Sequence, residues 1–265
     1  MRLRKGYSDG PQGQVHWRQA GNIGTPDRSD LYCFSPAPFG SIAYSNLLPH
    51  LANARGVVAP DYPGQGGSDG DDVTPSIESY AASMVATIHD LSKTAPISVM
   101  GFHSGCLVAV EVALTLPDQV EQVVLVDVPA FDPETRAKYL PMVGAPFEPS
   151  TDLQSVAKSW DMAVAKRQAT QPLDQCLALF ADTVGNGPRI NATFHAAFTY
   201  DVESRFAALS HKTSILATQS SLLEPRRRAA ALISGAQLVE LADVQRSVLD
   251  ENAAVTAAAI LQALG

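Results

Sequence analysis

The sequence has no basic excess: 19 Lys and Arg stand against 27 Asp and Glu, for a net charge of −8. Without a positive field to gather phosphates, nucleic acid is not expected as a partner. Long apolar runs are missing too, so no segment reaches membrane-spanning length and no membrane partner is expected. Cysteine is scarce and odd in number, at Cys33, Cys106 and Cys176, with no metal-ligand spacing. That pattern fits a reducing compartment and points to no metal and no cofactor. The opening Met1-Arg2-Leu3-Arg4-Lys5-Gly6 carries charge with no apolar stretch behind it, so no leader is read there and a cytoplasmic location is expected. Repeats and low-complexity tracts are absent, and no histidine follows His211. What remains is globular: 265 residues, 46% apolar and 17% charged, are enough for one α/β domain with an insertion.

The most informative stretch is Ile97-Ser98-Val99-Met100-Gly101-Phe102-His103-Ser104-Gly105-Cys106-Leu107-Val108. Ile97–Met100 is short and apolar, which suits a buried strand. From Ser104 onward Leu107, Val108, Val110, Val112 and Ala113 fall at helical spacing, with Glu111 as a solvent-side break. A strand turning into a helix across G-x-x-x-G is the frame of a nucleophile elbow, whose flanking positions must be small. His103 stands at its centre with Gly101 and Gly105 where the sterics demand them. Moving the frame to Ser104 would put Phe102 and Cys106 at those small positions. The competing reading is an ordinary strand–helix turn carrying a buried or half-exposed histidine.

Around this stretch the chain alternates. Strands are expected at Val15–Gly21, Leu31–Phe34, Gly56–Pro60 and Val120–Val128, and helices at Ile42–Asn53 and Ser76–Lys93. Pro36 and Pro38 keep the segment between Ser35 and Gly40 out of helix. This rhythm implies a mostly parallel sheet with crossover helices. From Pro129 to about Ser210 no strand signal appears; helices are read near Leu153–Arg167, Leu173–Val184 and Phe194–Leu209. Strands return at Ser214–Thr218 and Gln237–Leu241, with helices at Arg226–Ile233 and Ala253–Leu264. The expected division is a core of residues 1–128 and 211–265 under a helical lid of residues 129–210. Arg226-Arg227-Arg228, at a helix start, read as a solvated face.

Ser35-Pro36-Ala37-Pro38-Phe39-Gly40-Ser41 is similar to an oxyanion loop, and Asp61-Tyr62-Pro63-Gly64-Gln65-Gly66-Gly67-Ser68-Asp69 resembles an Asp-x-Pro-Gly-x-Gly-x-Ser loop. With the elbow, they make nearly the whole chain resemble the α/β-hydrolase superfamily. The resemblance implies an eight-stranded, mostly parallel sheet with a helical lid insertion. It also implies the chain order nucleophile, acid, histidine. His103 stands at the first position, Gln219-Ser220-Ser221-Leu222-Leu223 at the second, and Val244-Gln245-Arg246-Ser247 at the third, so all three triad positions are replaced. Ser–His–Asp chemistry is therefore not expected. Pro36 occupies the usual glycine of the oxyanion loop, yet the amides of Ala37 and Ser104 still offer a donor pair.

His103 is read as a general base or nucleophile, or as a polar wall residue that hydrogen-bonds a ligand. Asp127, at the tip of the next strand, is expected to form a dyad with it; capping of local amides before Pro129 is the alternative. Such a dyad would raise the imidazole pKa while burial under the lid would lower it. Cys106 packs as a small hydrophobe in this reading. Ser35, His195 and Tyr200 are candidate pocket residues, the last two from the lid side or else from the core. Arg246 is a candidate anion contact or a surface pair. Two functions follow: an enzyme acting on a small, largely apolar substrate by ester or lactone hydrolysis or related lyase chemistry, or a non-catalytic binding and sensor module of the same fold. The expected partner is a small-molecule substrate or ligand, with a homodimer left open.

Overall fold

The computed structural model describes residues 2–25, 28–245 and 247–265. Two antiparallel strands, β1 (Arg4–Gly10) and β2 (Gly13–Ala20), form a hairpin at one edge of the sheet. β1 carries no apolar alternation because it is an edge, with only Ser8 buried. The sheet continues through β3 (Asp30–Phe34), β4 (Val57–Pro60), β5 (Ile97–Phe102), β6 (Val120–Val126), β7 (Lys212–Thr218) and β8 (Gln237–Leu241). Its eight strands run in the order β1-β2-β4-β3-β5-β6-β7-β8. β2 is antiparallel to both neighbours, and every pairing from β4 to β8 is parallel. Central strands of such a sheet are covered on both faces, which is why β3 and β4 are buried throughout.

A 3-10 turn, Ser41–Tyr44, and the short α1 (Leu47–Leu51) replace the single helix expected there. α2 (Ile77–Ser92) starts at a reciprocal capping box, Ser76 and Ser79 each bonding the other's backbone N–H at 3.1 Å. α3 (Gly105–Thr115) is apolar on every side and buried from Gly105 to Ala113, as a helix pressed between layers must be. Between β6 and β7 lie only helices: α4 (Pro133–Val143), α5 (Ala157–Trp160) with irregular flanking turns, α6 (Leu173–Gly185), α7 (Ala192–Thr199) and α8 (Val202–Ala208). α9 (Leu223–Leu232) and α10 (Ala253–Leu264) complete the chain. One core packs α2, α3, α8 and α9 on one sheet face, and a second packs α1 and α10 on the other. Among the described residues no helix is long and apolar enough to cross a membrane.

Two local expectations change. Phe194–Leu209 is not one helix: it breaks at Tyr200–Asp201, and the Asp201 side chain caps α8 by accepting from the Ser204 N–H. Glu111 does not face solvent. Tyr200 Oη donates to its Oε1 at 2.7 Å, and Arg205 grips both carboxylate oxygens at 2.5 and 2.7 Å. The insertion covers this side of α3, so the helix's one charged residue is buried and paired.

The second half of the insertion is tied to the core loops. Arg189 Nε donates to Gly64 O at 2.8 Å, Gly66 N to Asn186 Oδ1 at 3.2 Å and Gly40 N to Asp182 Oδ2 at 3.0 Å. Gln65 also donates to Thr193. The loop that receives these bonds is itself held by Asp61. Burial opposes the Asp61 charge, but hydrogen bonds from His16 at 2.7 Å, Ser41 N at 2.5 Å and Gly67 N at 3.0 Å outweigh it and hold the carboxyl below its usual range. By contrast, α5 and the turn before it expose Leu153 and Trp160.

Candidate active site

The turn after β5 has the elbow geometry. His103 sits at φ +50°, the left-handed region, between a strand and a helix. A Cβ on Gly101 would lie 2.2 Å from the Gly105 carbonyl group, and one on Gly105 would lie 2.0 Å from Phe34 O. Neither site admits a side chain, so the frame is centred on His103 and not on Ser104. Cys106 packs as the sequence suggests. Its thiol lies 3.2 Å from Gly101 O and 3.3 Å from Val126 O, and burial pushes it well above its usual pKa.

His103 lines two cavities and is the only described residue that lines both. The first, about 260 Å³, runs past Pro36, Phe39, Phe102, Asp127, Thr218 and Asp250. The second, about 270 Å³, is bounded by Ala37, Ser104, Phe131, Val143, Phe194 and Phe198. Burial lowers the imidazole pKa from its ordinary value; the Asp127 charge opposes this and the Arg226 charge adds to it. The neutral ring is therefore favoured.

The expected His103–Asp127 dyad does not form. Among the described residues no hydrogen bond or ion pair joins them, because both Asp127 oxygens are taken from the other side. Oδ1 accepts the Thr218 N–H at 2.9 Å and the Arg226 guanidinium, and Oδ2 accepts the Thr218 hydroxyl at 2.5 Å. Arg226 also donates to Ser220 Oγ at 2.9 Å. It is 1% exposed, so the arginine triplet is no solvated face at this position. Arg227 pairs with Glu224 at 2.9 Å and Arg228 with Glu203, as the rest of the triplet reading allows.

The remaining candidates divide. Ala37 and Ser104 do meet: the Ala37 N–H donates to Ser104 Oγ at 2.7 Å, so that amide is already taken by the serine hydroxyl. Ser35 is buried and its carbonyl accepts from Tyr62 Oη at 2.9 Å, while its own hydroxyl has no partner among the described residues. His195 turns away from both cavities, with Nδ1 3.2 Å from Gly144 O. Tyr200 is a core strut to Glu111 and lines neither. Arg246 lies outside the described residues, but its neighbours Gln245 and Ser247 line the first cavity.

The sequence reading misses Arg226, Thr218 and the aromatic wall. Phe194, Ala197 and Phe198 fall at i, i+3 and i+4, so their helical face was legible. Phe131 stacks on Phe198 with ring centroids 5.7 Å apart.

A family model for the thioesterase domain matches residues 29–185. No curated protein matches the sequence. Among solved structures, a hydrolase from Pseudomonas aeruginosa PA01 superposes with a TM-score of 0.80 at 18% identity, over 99% of this chain and 98% of that one. Epoxide Hydrolase A from Mycobacterium thermoresistibile reaches 0.79 at 17% identity, over 99% and 98%. The enol-lactonase from Burkholderia xenovorans LB400 reaches 0.77 at 19% identity, over 98% and 99%. Likeness at that identity speaks to the fold, whereas the family model spans more than half of the chain. On that match the chain belongs to the thioesterase-domain family of the α/β-hydrolase superfamily.

Proposed function

We propose that this protein hydrolyses a small, largely apolar ester or lactone, with His103 as general base. One observation carries the reading: a neutral-leaning imidazole sits at the elbow tip and, alone among the described residues, borders both cavities. The aromatic cavity takes the acyl part, and the other takes the leaving group. Val143 and Phe194 of the insertion close one cavity and Leu179 the other, which supports a lid role for residues 129–210.

The step balances simply. The imidazole removes a proton from water as the oxygen attacks the carbonyl carbon, and the resulting imidazolium returns that proton to the departing oxygen. General-base assistance of this kind contributes on the order of 10²–10⁴-fold. In elbows of this type the oxyanion is received by the N–H after the central residue and one from the β3 loop, here Ser104 and Ala37. Each such donor contributes about 3 kcal/mol. The carbonyl oxygen has to displace the Ser104 hydroxyl from the Ala37 N–H.

That same hydroxyl, with Asp127 already satisfied by Thr218 and Arg226, favours a second reading: a binding module that kept the pocket without the chemistry. A panel of small esters, lactones and thioesters decides. Turnover lost in a folded His103→Ala variant supports the enzyme. Saturable binding without turnover supports the module.

A further inference from the structure

A buried ion pair is a poor stability device, because apolar side chains of the same volume commonly do as well or better. The Asp127–Arg226 pair is 1% exposed on both sides and leaves Arg226 Nε with no partner among the described residues. Stability alone therefore does not account for an arginine here. Its position does. It comes from α9, on the side of Asp127 away from the elbow, and together with Thr218 it occupies both carboxylate oxygens. Asp127 itself is at φ +49°, in the turn that ends β6, and lines the same cavity as His103.

We propose that Arg226 is a positioning residue: by binding Asp127 it holds that carboxylate away from the His103 ring and leaves the imidazole free to act as a neutral base. In its rate consequence the inference rests on the general-base reading; in its effect on the imidazole it does not. Among the described residues the ionisable surroundings of His103 are few. Asp127 from the end of β6 pulls a proton onto the ring, and Arg226 from α9 pushes it off. Cys106 on α3 bonds two backbone carbonyls and is buried as a thiol. Asp250, across the first cavity, is held by Asn46 at 3.3 Å and Gln171 at 3.1 Å, and burial raises its carboxyl.

Without Arg226, Asp127 keeps only its two Thr218 hydrogen bonds, and a carboxylate that then turns onto the ring raises an imidazole by about 1–3 pH units. The test is an NMR titration of the full chain, with the His103 signal assigned by its loss in His103→Gln. Arg226→Met should raise the His103 midpoint by that amount, about 10- to 1,000-fold in proton affinity, and carry the acid limb of kcat/KM with it. Arg226→Lys should restore most of the parent value. A folded Arg226→Met chain with an unmoved midpoint would show Arg226 to be merely structural. If that variant does not fold, Asp127→Asn is read instead: the midpoint must fall, and an unmoved one overturns the proposal. A parent chain inactive on every substrate, yet showing the Arg226→Met rise, would sink the general-base reading alone. An active chain whose His103 ignores Arg226 would do the reverse.

Discussion

Removing Arg205 tests whether the insertion is fastened to α3 through Glu111. The Glu111 carboxylate, 4% exposed at its side chain, receives two hydrogen bonds from Arg205 and one from Tyr200. Arg205→Met strands that carboxylate with only the tyrosine. Breaking one side of a fully buried pair costs about 3–5 kcal/mol. Arg205 is itself 38% exposed, so water takes over part of its role and the expected loss is roughly 2–3 kcal/mol. At about 2–4 °C per kcal/mol for a chain of this size, Tm should fall by about 5–10 °C. Urea melts of parent and variant measure the loss. A loss under about 0.5 kcal/mol would mean that Glu111 is solvated and the fastening is not real.

Acid should act through His103. Its folded pKa is lowered from 6.5 by burial, so above that value both folded and unfolded chains carry a neutral ring. Below it the unfolded chain takes up the proton first, and this group's contribution to stability drains away until pH passes the folded pKa; melts in a His103→Gln variant should lack that limb. Fluorophosphonate probes should leave Ser104 unlabelled, since its hydroxyl accepts from the Ala37 N–H and, among the described residues, no histidine hydrogen-bonds it; stoichiometric labelling detected by mass spectrometry would refute this. Gly101→Ala and Gly105→Ala each drive a methyl into backbone atoms at 2.2 and 2.0 Å, so each should lose about 3 kcal/mol or more, seen as insoluble or low-melting protein.

The frame of the fold was readable because its signals are local. Gly101 and Gly105 report a close backbone approach, and β-branched runs alternating with helical spacing report a parallel sheet. What failed was everything decided by a second layer. Glu111 looked solvent-facing because periodicity along α3 does not say that α8 packs over it. Arg226 looked solvated among three arginines because its partners, Asp127 and Ser220, arrive from the turns after β6 and β7. Tyr200 and His195 sit beside the residues that do line the cavity, and one helical step separates Phe194 from His195. The dyad failed for a related reason: neighbouring strand tips do bring His103 and Asp127 to one edge, but a third element had already claimed the carboxylate.

The uneven stapling of the insertion gives it two mechanical halves. From Asp182 to Thr193 it is anchored to the Gly40 and Gly64–Gly66 loops, and at Tyr200 and Arg205 to α3. A segment so fixed opens only with the sheet, so its amides should exchange with deuterium on the timescale of global unfolding. Residues 153–160 have no comparable anchor among the described residues, and Leu153 and Trp160 are exposed. Their amides should exchange through local opening, orders of magnitude sooner. The Phe194–Phe198 wall of the second cavity therefore belongs to the rigid half, while the residues around α5, which line neither cavity beside His103, belong to the half that opens first.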